Sequence, residues 1–579
     1  MTYFEAHITK QTVEFFKKNL NALSNFEKVN SLIKEVSGIN YFFSNQEESS
    51  ELLKNIKEFN SIVSEPDRRE YGDFQTNSEL SELVSKYVLL KRNDFEFLLE
   101  PTCGKGNFIL ASLKTFKSLK KIVGVEIYKP YVWETKFKIL DYFIKHQAIS
   151  KPEINIIHGN AFEYSYENLA IETESLKTLV IGNPPWVTNS ELGSINSKNL
   201  PEKSNFKKHS GLEAITGKGN FDIGETISLT MISCFQNHEG MFAFLIKNSV
   251  IKNLIYEQKI NGFNINQSEK LNIDSKKEFN VSVNASLFLT NFNNSPDFIC
   301  KEFDFYNRSY ITTFGWYKNN FVYSVEDYEK TNNIDGKSKF VWRSGVKHDC
   351  SKVMELEQVN GHYINSLGEH VNIESNLVYG LLKSSDLKGG KTNTYRKSTI
   401  ITQHKIGQET KYIQDNFPLT YKYLNSHKEL FLQRKSSIYK DKPEFSIFGI
   451  GEYSFTKYKV AISGLYKSTH FTLIYPDESK PIMLDDTCYF IGFNQLKRAQ
   501  IAHFIVNSDI VQKFLKSIIF SDAKRPINKD TLMRIDFKKA YDLSCYNEAK
   551  ERIFDLKIED WEEFGEIIKE YEDIQMSLF

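Results

Sequence analysis

Short apolar runs that alternate with amphipathic stretches dominate the first half of the chain. Buried strands are predicted where mostly apolar residues follow one another, at 95–100, 121–127, 154–157, 178–182 and 241–246. Apolar residues at helical spacing separate several of these runs, and one helix is predicted to start near Phe108. Strands that alternate with helices predict an α/β fold with a largely parallel sheet and helices on both faces.

The chain on either side of this region has a different pattern. Residues 8–64 carry apolar side chains at helical spacing, such as Phe16 and Leu20, and contain a single glycine. Two or three helices are therefore predicted within residues 8–64. After about residue 300 the pattern becomes mixed, with more Tyr and Phe and with short predicted strands. Residues 551–575 are predicted to form an acidic amphipathic helix.

Composition bounds the size and class of the protein. A chain of 579 residues is too long for one core and predicts three or four units, at roughly 150 residues a domain. Its 74 basic residues balance its 74 acidic ones, so an anionic partner has to be held by local basic faces. The six cysteines are scattered without a CxxC pair, which argues against a zinc ribbon and favours a reducing compartment. No apolar stretch reaches membrane-spanning length and the amino terminus does not resemble a signal peptide, so we expect a soluble, intracellular protein.

The most informative motif, Asn183, Pro184, Pro185 and Trp186, follows the strand predicted at 178–182. An exocyclic amine on an aromatic base is a poor nucleophile, because its lone pair is conjugated with the ring. Two acceptors, the side-chain oxygen of Asn183 and the carbonyl of Pro184, would take both N–H protons and favour a pyramidal nitrogen. Trp186 would stack on the ring, and the prolines would stiffen the loop. The motif predicts a site for a planar amine, with an ordinary Asn-Pro turn as the alternative.

A second set of residues predicts a nucleoside site at the same edge of the sheet. The turn at 101–107 contains two glycines and leads into a helix, where a ligand approaches the backbone closely. It lacks the Gly-Lys-Ser/Thr of a P-loop. Glu126 ends the next strand, where a carboxylate accepts hydrogen bonds from ribose hydroxyls. Asn160 and Phe162 follow the third strand, where an amide and a ring suit adenine, so a nucleoside without phosphates is the predicted ligand.

In this order, the motifs over residues 70–290 resemble the γ class of amino-methyltransferases that act on DNA, the TaqI-like group. The resemblance implies a Rossmann-like methyltransferase sheet and S-adenosylmethionine as cofactor, with S-adenosylhomocysteine as product and no metal. It also implies transfer to the N6 amine of an adenine extruded from double-stranded DNA. The chain is then expected to be the modification enzyme of a bacterial type II restriction-modification system, located in the cytoplasm. A separate endonuclease acting on the same DNA site is a candidate partner.

The resemblance also implies roles for single residues. The loop 183–186 would be catalytic, and Phe279, within the stretch 274–292, would be the second ring that sandwiches the base. Phe221 is the alternative for that ring. Glu100 would face the methionine part of the cofactor. The full set implied to bind the cofactor is Tyr71, Phe74, Gln75, Thr76, Glu100, Thr102, Gly104, Gly106, Asn107, Glu126, Ile127, Asn160, Ala161, Phe162 and Asn183.

Four positions differ from the usual residues of this family. Thr178 stands five residues before the catalytic Asn, where the family usually has Asp, and Asn77 stands where it usually has Pro. Asn160 replaces the usual Asp at the adenine contact, and Trp186 replaces the commoner Tyr. An amide can still pair with an adenine edge, and an indole keeps the stacking face.

Four segments are predicted: an N-terminal helical segment (1–65), the catalytic domain (66–300), a mixed α+β target-recognition domain (301–545) and a C-terminal helix (546–579). The first segment is expected to pack against the catalytic domain, with a dimer contact or a DNA clamp as alternatives. The polar stretch 188–220 is long for a loop and could order on the DNA backbone. The residues predicted to bind DNA are Lys207, Lys208, Arg343, Lys347, His348, His404, Lys405, Arg434, Lys435, Lys457, Lys524 and Arg525.

Other activities use the same loop or fold. Related enzymes methylate a glutamine side chain of translation factors or a guanine N2 of ribosomal RNA, but such chains are typically compact and lack a recognition half of this size. Enzymes that transfer to cytosine N4 usually have Ser in place of Asn183. A DNA-binding module that has lost catalysis is the non-enzymatic alternative. The intact loop 183–186 and the intact Glu126 argue against it.

Overall fold

The computed structural model describes residues 9–19, 25–55, 75–147, 150–187, 222–293, 295–388, 394–521 and 525–576. The chain divides into two compact units, Met1–Phe321 and Val322–Phe579. Several predicted positions lie outside the described residues, namely the stretch 188–220 and Tyr71, Phe74, Lys207, Lys208, Phe221 and Lys524. Of the helices that are described, none combines the length and the apolar character needed to cross a membrane.

The described residues between 9 and 55 form three helices: α1 (Lys10–Lys18), α2 (Phe26–Ser37) and α3 (Gln46–Asn55). They lie in the segment where two or three helices were predicted. The side chains of Thr9 and Asn25 cap the first two helices, which satisfies N–H groups that a helix start leaves unpaired. Phe16 of α1 shares a buried core with Phe137, and the two ring centroids lie 6.3 Å apart. These helices therefore pack against the helical layer that covers the sheet.

Ten strands form the sheet of unit 1: β1 (Phe97–Glu100), β2 (Lys121–Glu126), β3 (Glu153–His158), β4 (Thr178–Gly182), β5 (Gly240–Lys247), β6 (Ile265–Asn272), β7 (Ala285–Phe292), β8 (Ile299–Asp304), β9 (Tyr310–Tyr317) and β10 (Asn320–Val322). The spatial order is β10-β9-β8-β6-β7-β5-β4-β1-β2-β3. Strands β3, β2, β1, β4 and β5 are parallel, and β7 runs antiparallel to both of its neighbours. All five predicted strands are present, with bounds within two residues of the predicted ones.

Helices cover both faces of this sheet, as predicted. They are α4 (Ser78–Lys91), α5 (Asn107–Thr115), α6 (Lys129–Lys145), α7 (Tyr166–Thr173), α8 (Ile223–Phe235), α9 (Asn248–Asn261) and α10 (Ser275–Phe279). Successive residues of a strand point to opposite faces. Leu98 of β1 joins the core that contains Trp133 of α6, whereas the Phe97 ring lies 6.3 Å from that of Phe235 in α8. The α/β fold with a Rossmann-like sheet is thus confirmed.

The order of the strands reverses next to β1. From β1 the chain continues through β2 to β3 on one side, and β4 then pairs with β1 on the other side. In open α/β sheets, ligands bind outside the carboxyl ends of the strands at such a reversal. The residues that follow Glu100 and Gly182 therefore border the expected crevice.

Unit 2 contains two smaller sheets. Its strands are β11 (Arg343–Ser344), β12 (Glu355–Val359), β13 (His362–Asn365), β14 (His370–Val371), β15 (Val378–Leu382), β16 (Lys397–Ile400), β17 (Tyr458–Ser463), β18 (Thr472–Ile474), β19 (Met483–Leu484) and β20 (Cys488–Phe493). One sheet has the order β11-β20-β17-β18 and the other β14-β13-β12-β16-β15-β19. Among the described residues, the strand pairs of these two sheets are antiparallel except the parallel pair β15 and β19. The predicted mixture of strands and helices is present.

The helices of unit 2 are mostly short. They are α11 (Val325–Thr331), α12 (Ser351–Met354), α13 (Ser384–Lys388), α14 (Tyr412–Asn416), α15 (Pro418–Ser426), α16 (Lys428–Leu432), α17 (Leu496–Val506), α18 (Asp509–Ile518), α19 (Lys529–Leu532), α20 (Phe537–Asp542), α21 (Tyr546–Arg552) and α22 (Ile558–Met576). The helix predicted at 551–575 is wrong over 553–557. There, Asp555 has a left-handed backbone (φ +51°) that a helix cannot contain.

The boundary between the units lies at 321/322, beyond the predicted domain boundary at 300. Strand β8 pairs with β6 in parallel, from Ser268 opposite Cys300 onward, and β9 then pairs with β8. These ladder hydrogen bonds extend the first sheet past residue 300. The sequence beyond that residue loses the strand–helix alternation before the sheet itself ends.

Candidate active site

The turn between β1 and α5 has no room for side chains at its glycines. Gly104 and Gly106 have φ angles of +49° and +72°, in the region where other residues are strained. A Cβ added at Gly104 would lie 2.5 Å from Oε1 of Gln75. The N–H of Gly104 donates to Oε2 of Glu126 (2.8 Å), which joins the turn to the end of β2. The backbone of this turn therefore requires glycine at both positions.

Glu100 ends β1 inside the protein, with a relative exposure of 2%. Its Oε2 and the Oγ1 of Thr102 are buried, and within the described ranges neither atom has a hydrogen-bond partner. Burial, followed by the charge of Glu126, raises the pKa of the Glu100 carboxyl well above its usual range. Buried polar atoms without a partner cost free energy. These two atoms therefore fit a ligand that supplies hydrogen-bond donors or a positive charge.

The residues predicted to hold a nucleoside follow β2 and β3, the next strands along the same edge. Oε1 of Glu126 accepts a hydrogen bond from the N–H of Tyr128 (2.7 Å). Oδ1 of Asn160 accepts one from the N–H of Phe162 (3.0 Å), so this amide shapes its own turn. Phe162, Ala161 and Ile127 are half-buried. The predicted ribose and adenine residues thus lie in sequence along one sheet edge.

The loop 183–186 begins next to Glu100. A Cβ added at Gly182 would lie 3.5 Å from Cγ of Glu100, so the Glu100 side chain lies against the last residue of β4. Asn183 follows directly, and its Nδ2 donates a hydrogen bond to Oγ1 of Thr76 (3.2 Å). Pro184 is buried. The structure therefore brings together the two motifs that the sequence separates by about 80 positions.

Trp186 and Phe279, the two rings predicted to sandwich a base, contact each other. Their centroids lie 4.9 Å apart and their planes meet at 67°, an edge-to-face arrangement. Both rings belong to the core of unit 1, with exposures of 4% and 7%, and the indole N–H donates to the carbonyl of Leu245 (3.2 Å). A base stacked between two parallel rings needs about 7 Å between them, because each stacked layer takes about 3.5 Å. The predicted pair exists, but without that gap.

Next to the loop 183–186 lies an ion pair that includes Lys247, a residue that was not among those predicted from the sequence. Asp222 caps α8 by accepting a hydrogen bond from the N–H of Gly224 (2.9 Å), and its other oxygen pairs with Lys247 (2.6 Å). The N–H of Ile223 donates to the carbonyl of Val187 (3.0 Å). The start of α8 is therefore fixed to the end of the loop 183–186. Lys247 stands at the carboxyl end of β5, and that position is the sequence signal by which it could have been chosen as a candidate site residue.

In unit 2, some of the residues predicted to bind DNA are exposed and carry a charge or a ring nitrogen. These are Arg343, His404, Lys405, Lys435 and Lys457. The Arg343 guanidinium lies 4.8 Å from the centre of the Tyr453 ring, and the His404 ring stacks on Phe455 at 4.7 Å. Arg525 donates to the backbone carbonyl of Asp486 (3.1 Å). The exposed side chains remain able to reach a ligand.

Two other predicted residues are part of the framework. Arg434 donates to the carbonyls of Phe431, His348 and Ser446 at 3.0, 3.3 and 2.7 Å. Its guanidinium lies 3.7 Å from the centre of the Tyr439 ring. His348 is buried, and burial lowers the pKa of its imidazole. Lys347, His348, Arg434 and Lys435 border one cavity of about 800 Å³, so the structure does group these predicted positions.

Comparison with known proteins gives the class of the chain. Residues 58–270 match a family model described as N-6 DNA Methylase. Together with the sheet and the site at its reversal, this match defines a DNA methyltransferase, and the chain belongs to the N-6 DNA methylase family. It is similar to the Type II methyltransferase M.NspV of Nostoc sp. (strain ATCC 29411 / PCC 7524), with 40% identity over 479 residues, 82% of this chain and 98% of that protein.

Two further similarities are narrower or more distant. The Type II methyltransferase M.CvrRI of Paramecium bursaria Chlorella virus XZ-6E is 32% identical over 133 residues, 23% of this chain and 28% of that protein. The Type IIL restriction-modification enzyme MmeI, solved in complex with DNA, matches with a TM-score of 0.54 at 12% identity, over 98% of this chain and 90% of that chain. The predicted class, an N6 DNA methyltransferase of the restriction-modification kind, is confirmed. The γ class and the roles of single residues stay predictions.

Proposed function

We propose that the chain transfers the methyl group of S-adenosylmethionine to the N6 amine of an adenine extruded from double-stranded DNA, in the manner of the γ class. One juxtaposition carries this proposal. The buried Glu100, whose Oε2 has no partner among the described residues, lies against Gly182, and Gly182 leads into Asn183. A site for a cationic ligand and a loop for an amine therefore share one crevice.

The residues at the ends of β1, β2 and β3 fit the cofactor. Glu100 would accept hydrogen bonds from its ammonium group, and Thr102 would add a polar contact. Glu126 would hold the ribose, and Asn160 with Phe162 would hold the adenine. When bound, S-adenosylmethionine supplies an electrophilic methyl group on a positively charged sulfur. A side chain at Gly104 would collide with Gln75, so glycine keeps this turn packed against the segment that contains Gln75.

Asn183 and Pro184 would prepare the nucleophile. The Asn183 side-chain oxygen and the Pro184 carbonyl each accept one N–H of the adenine amine, which turns the nitrogen lone pair out of conjugation. Held in this way, the amine nitrogen would accept the methyl group that bound S-adenosylmethionine supplies, S-adenosylhomocysteine would be the leaving group, and one amine proton would pass to solvent. Because the acceptors are fixed before the base arrives, little reorganisation is needed during the transfer.

The adenine has to leave the duplex to reach this loop. Extrusion costs a few kcal/mol, and stacking on an aromatic side chain returns about 1–3 kcal/mol per base. Trp186 and Phe279 would provide that stacking after their edge-to-face contact opens. The exposed Arg343, His404, Lys405, Lys435 and Lys457 support a recognition role for residues 301–545. A companion endonuclease acting on the same site fits the type II relatives.

A direct assay tests the proposal. The full-length protein is incubated with methyl-labelled S-adenosylmethionine and unmethylated plasmid DNA, and the digested DNA is analysed by mass spectrometry for N6-methyldeoxyadenosine. Ribosomal RNA and a release factor serve as competing substrates. Label in N6-methyldeoxyadenosine supports the proposal. Label in N4-methylcytosine, in RNA or in a glutamine side chain, or no transfer at all, would overturn it.

A further inference from the structure

Residues 75–77 contact three separate parts of the site. The first contact is with the glycine turn. Oε1 of Gln75 accepts a hydrogen bond from the N–H of Lys105 (3.1 Å), and the carbonyl of Thr76 accepts one from Nδ2 of Asn107 (2.7 Å). These two bonds fix the segment to the turn expected to hold the cofactor.

The second contact is with the catalytic loop. The Thr76 hydroxyl accepts the hydrogen bond from Nδ2 of Asn183, and Thr76 is 6% exposed. The amide at the end of an asparagine side chain carries an NH₂ donor group on one side and an oxygen acceptor on the other. With Nδ2 turned toward Thr76, Oδ1 is the atom that lies on the opposite side of the amide. That orientation is the one an amine ligand requires.

The third contact is with the helix that carries Phe279. Oδ1 of Asn77 accepts a hydrogen bond from the N–H of Leu80 (2.7 Å) and so caps α4. Nδ2 of Asn77 donates to Oε2 of Glu278 (3.3 Å), and the Tyr306 hydroxyl donates to the other oxygen of Glu278 (2.9 Å). Proline, which the family usually has here, has no side-chain amide and would lose both contacts. Thr76 is therefore held from both sides.

We propose that Thr76 is a positioning residue for methyl transfer, whose hydroxyl orients the Asn183 amide and whose carbonyl ties that orientation to the cofactor turn. The inference rests on the proposed function. The bond from Nδ2 to Thr76 favours one of the two orientations of the Asn183 amide, and only that orientation presents oxygen to the amine. Thr76 then acts on turnover through Asn183, even though the same segment was expected to contact the cofactor itself.

Thr76→Val removes the hydroxyl at nearly constant volume, and Thr76→Ser keeps it. We expect Thr76→Val to lower kcat about tenfold or more at saturating S-adenosylmethionine and DNA, with the Kd of S-adenosylhomocysteine changed less than threefold. Thr76→Ser is expected to restore most of the lost kcat. Thr76→Ala is measured alongside, so that a folding defect of the valine variant, seen as a lowered Tm, does not decide the result.

Thr135→Val is the matched control. The Thr135 hydroxyl donates to the carbonyl of Gly104 (3.0 Å), so this variant also loses a buried threonine hydroxyl at the glycine turn, and the bond it loses is to the turn and not to Asn183. We expect its defect in the Kd for S-adenosylhomocysteine rather than in kcat.

Three outcomes would overturn the inference. The first is an unchanged kcat in Thr76→Val and Thr76→Ala, and the second is a turnover rate in these variants that returns to normal when the S-adenosylmethionine concentration is raised. The third is the same loss of kcat in Thr135→Val. All three leave the proposed function intact as long as the unchanged protein methylates DNA. An unchanged protein that fails to methylate DNA instead contradicts the proposed function itself.

Discussion

The two halves of the candidate active site differ in how complete they are. On the cofactor side, Glu100 and Thr102 present buried polar atoms that no described residue satisfies, beside a glycine turn with a fixed backbone. On the base side, Trp186 and Phe279 already contact each other, and the indole N–H has a carbonyl partner. One half has the form of a site prepared for its ligand, and the other has the form of a packed core.

This difference indicates where binding energy is used. A ligand that pairs with Glu100 and Thr102 removes a cost that the folded protein already carries. A base that enters between Trp186 and Phe279 has to separate two packed rings and replace their contact with stacking. We therefore expect the cofactor to bind without DNA, and the base to bind only with the help of contacts elsewhere on the DNA. Substitutions at four positions test this contrast.

Asn183→Ala is expected to have the largest effect. The substitution removes one of two fixed acceptors for the target amine, so kcat should fall about 10²–10³-fold, as when one oriented hydrogen-bonding group is lost elsewhere. Methyl transfer to plasmid DNA measures kcat. Titration calorimetry with S-adenosylhomocysteine should give a nearly unchanged Kd. Full turnover in this variant would remove the catalytic role of the loop 183–186.

Trp186→Ala and Trp186→Phe separate stacking from packing. The alanine variant loses about 1–3 kcal/mol of base stacking, a tenfold to hundredfold fall in kcat/KM, and it also loses stability because the indole is part of the core. The phenylalanine variant keeps a ring and should recover most of kcat/KM. Fluorescence of 2-aminopurine placed at the target base reports extrusion. Equal activity of the two variants would contradict a stacking role.

Glu100→Gln tests the cofactor side and its dependence on pH. In the folded protein the pKa of Glu100 is raised above its ordinary 4.5, mainly by burial, so the folded state holds a proton that the unfolded state has lost. Stability of the ligand-free protein should therefore fall as pH rises above 4.5, and glutamine should raise Tm at neutral pH. Thermal melts across the pH range measure this.

The same variant should weaken cofactor binding. Glu100 has to ionise to pair with an ammonium group, so the affinity of the unchanged protein for S-adenosylhomocysteine should rise with pH and its binding should release a proton. Glutamine should lower the affinity about tenfold and flatten this dependence. Calorimetry in buffers with different ionisation enthalpies counts the protons. Proton release that persists in Glu100→Gln would assign it to another group.

Thr102→Val is expected to have the smallest effect. Its hydroxyl is buried and has no partner among the described residues, so the isosteric valine should stabilise the ligand-free protein slightly. If the hydroxyl contacts the cofactor, the Kd of S-adenosylhomocysteine should rise about threefold. A melt and one titration suffice. Lower stability together with an unchanged Kd would mean that the hydroxyl serves the fold alone.

Much of the fold could be predicted because its signals are local. The five strands follow from apolar runs, and Gly104 and Gly106 mark a turn that other residues cannot form. The helix predicted at 551–575 was partly wrong because spacing alone does not reveal that Asp555 interrupts it. The extension of the sheet through β8 and β9 was missed because strand pairing between distant segments leaves no periodic signal.

The sequence names candidate residues for the site, and it does not give their geometry. The sequence names Asn183, Trp186 and Phe279, yet ring types do not fix the distance between two rings. The bond between Thr76 and Asn183 joins residues 107 positions apart, which a single sequence does not specify. Asn77 was visible as a departure from the family pattern, and its contact with Glu278 became apparent only from the folded chain.

Arg434 has a consequence for how this protein can diversify. Its hydrogen bonds to three backbone carbonyls, together with its contact on the Tyr439 ring, hold neighbouring segments of unit 2 in place. Gln433 and Lys435, the neighbours of Arg434 in the sequence, are exposed. Their side chains do not take part in these three hydrogen bonds. Their side chains can be exchanged for others while the main chain keeps its course. Sequence change at these two exposed positions should therefore cost the fold little stability.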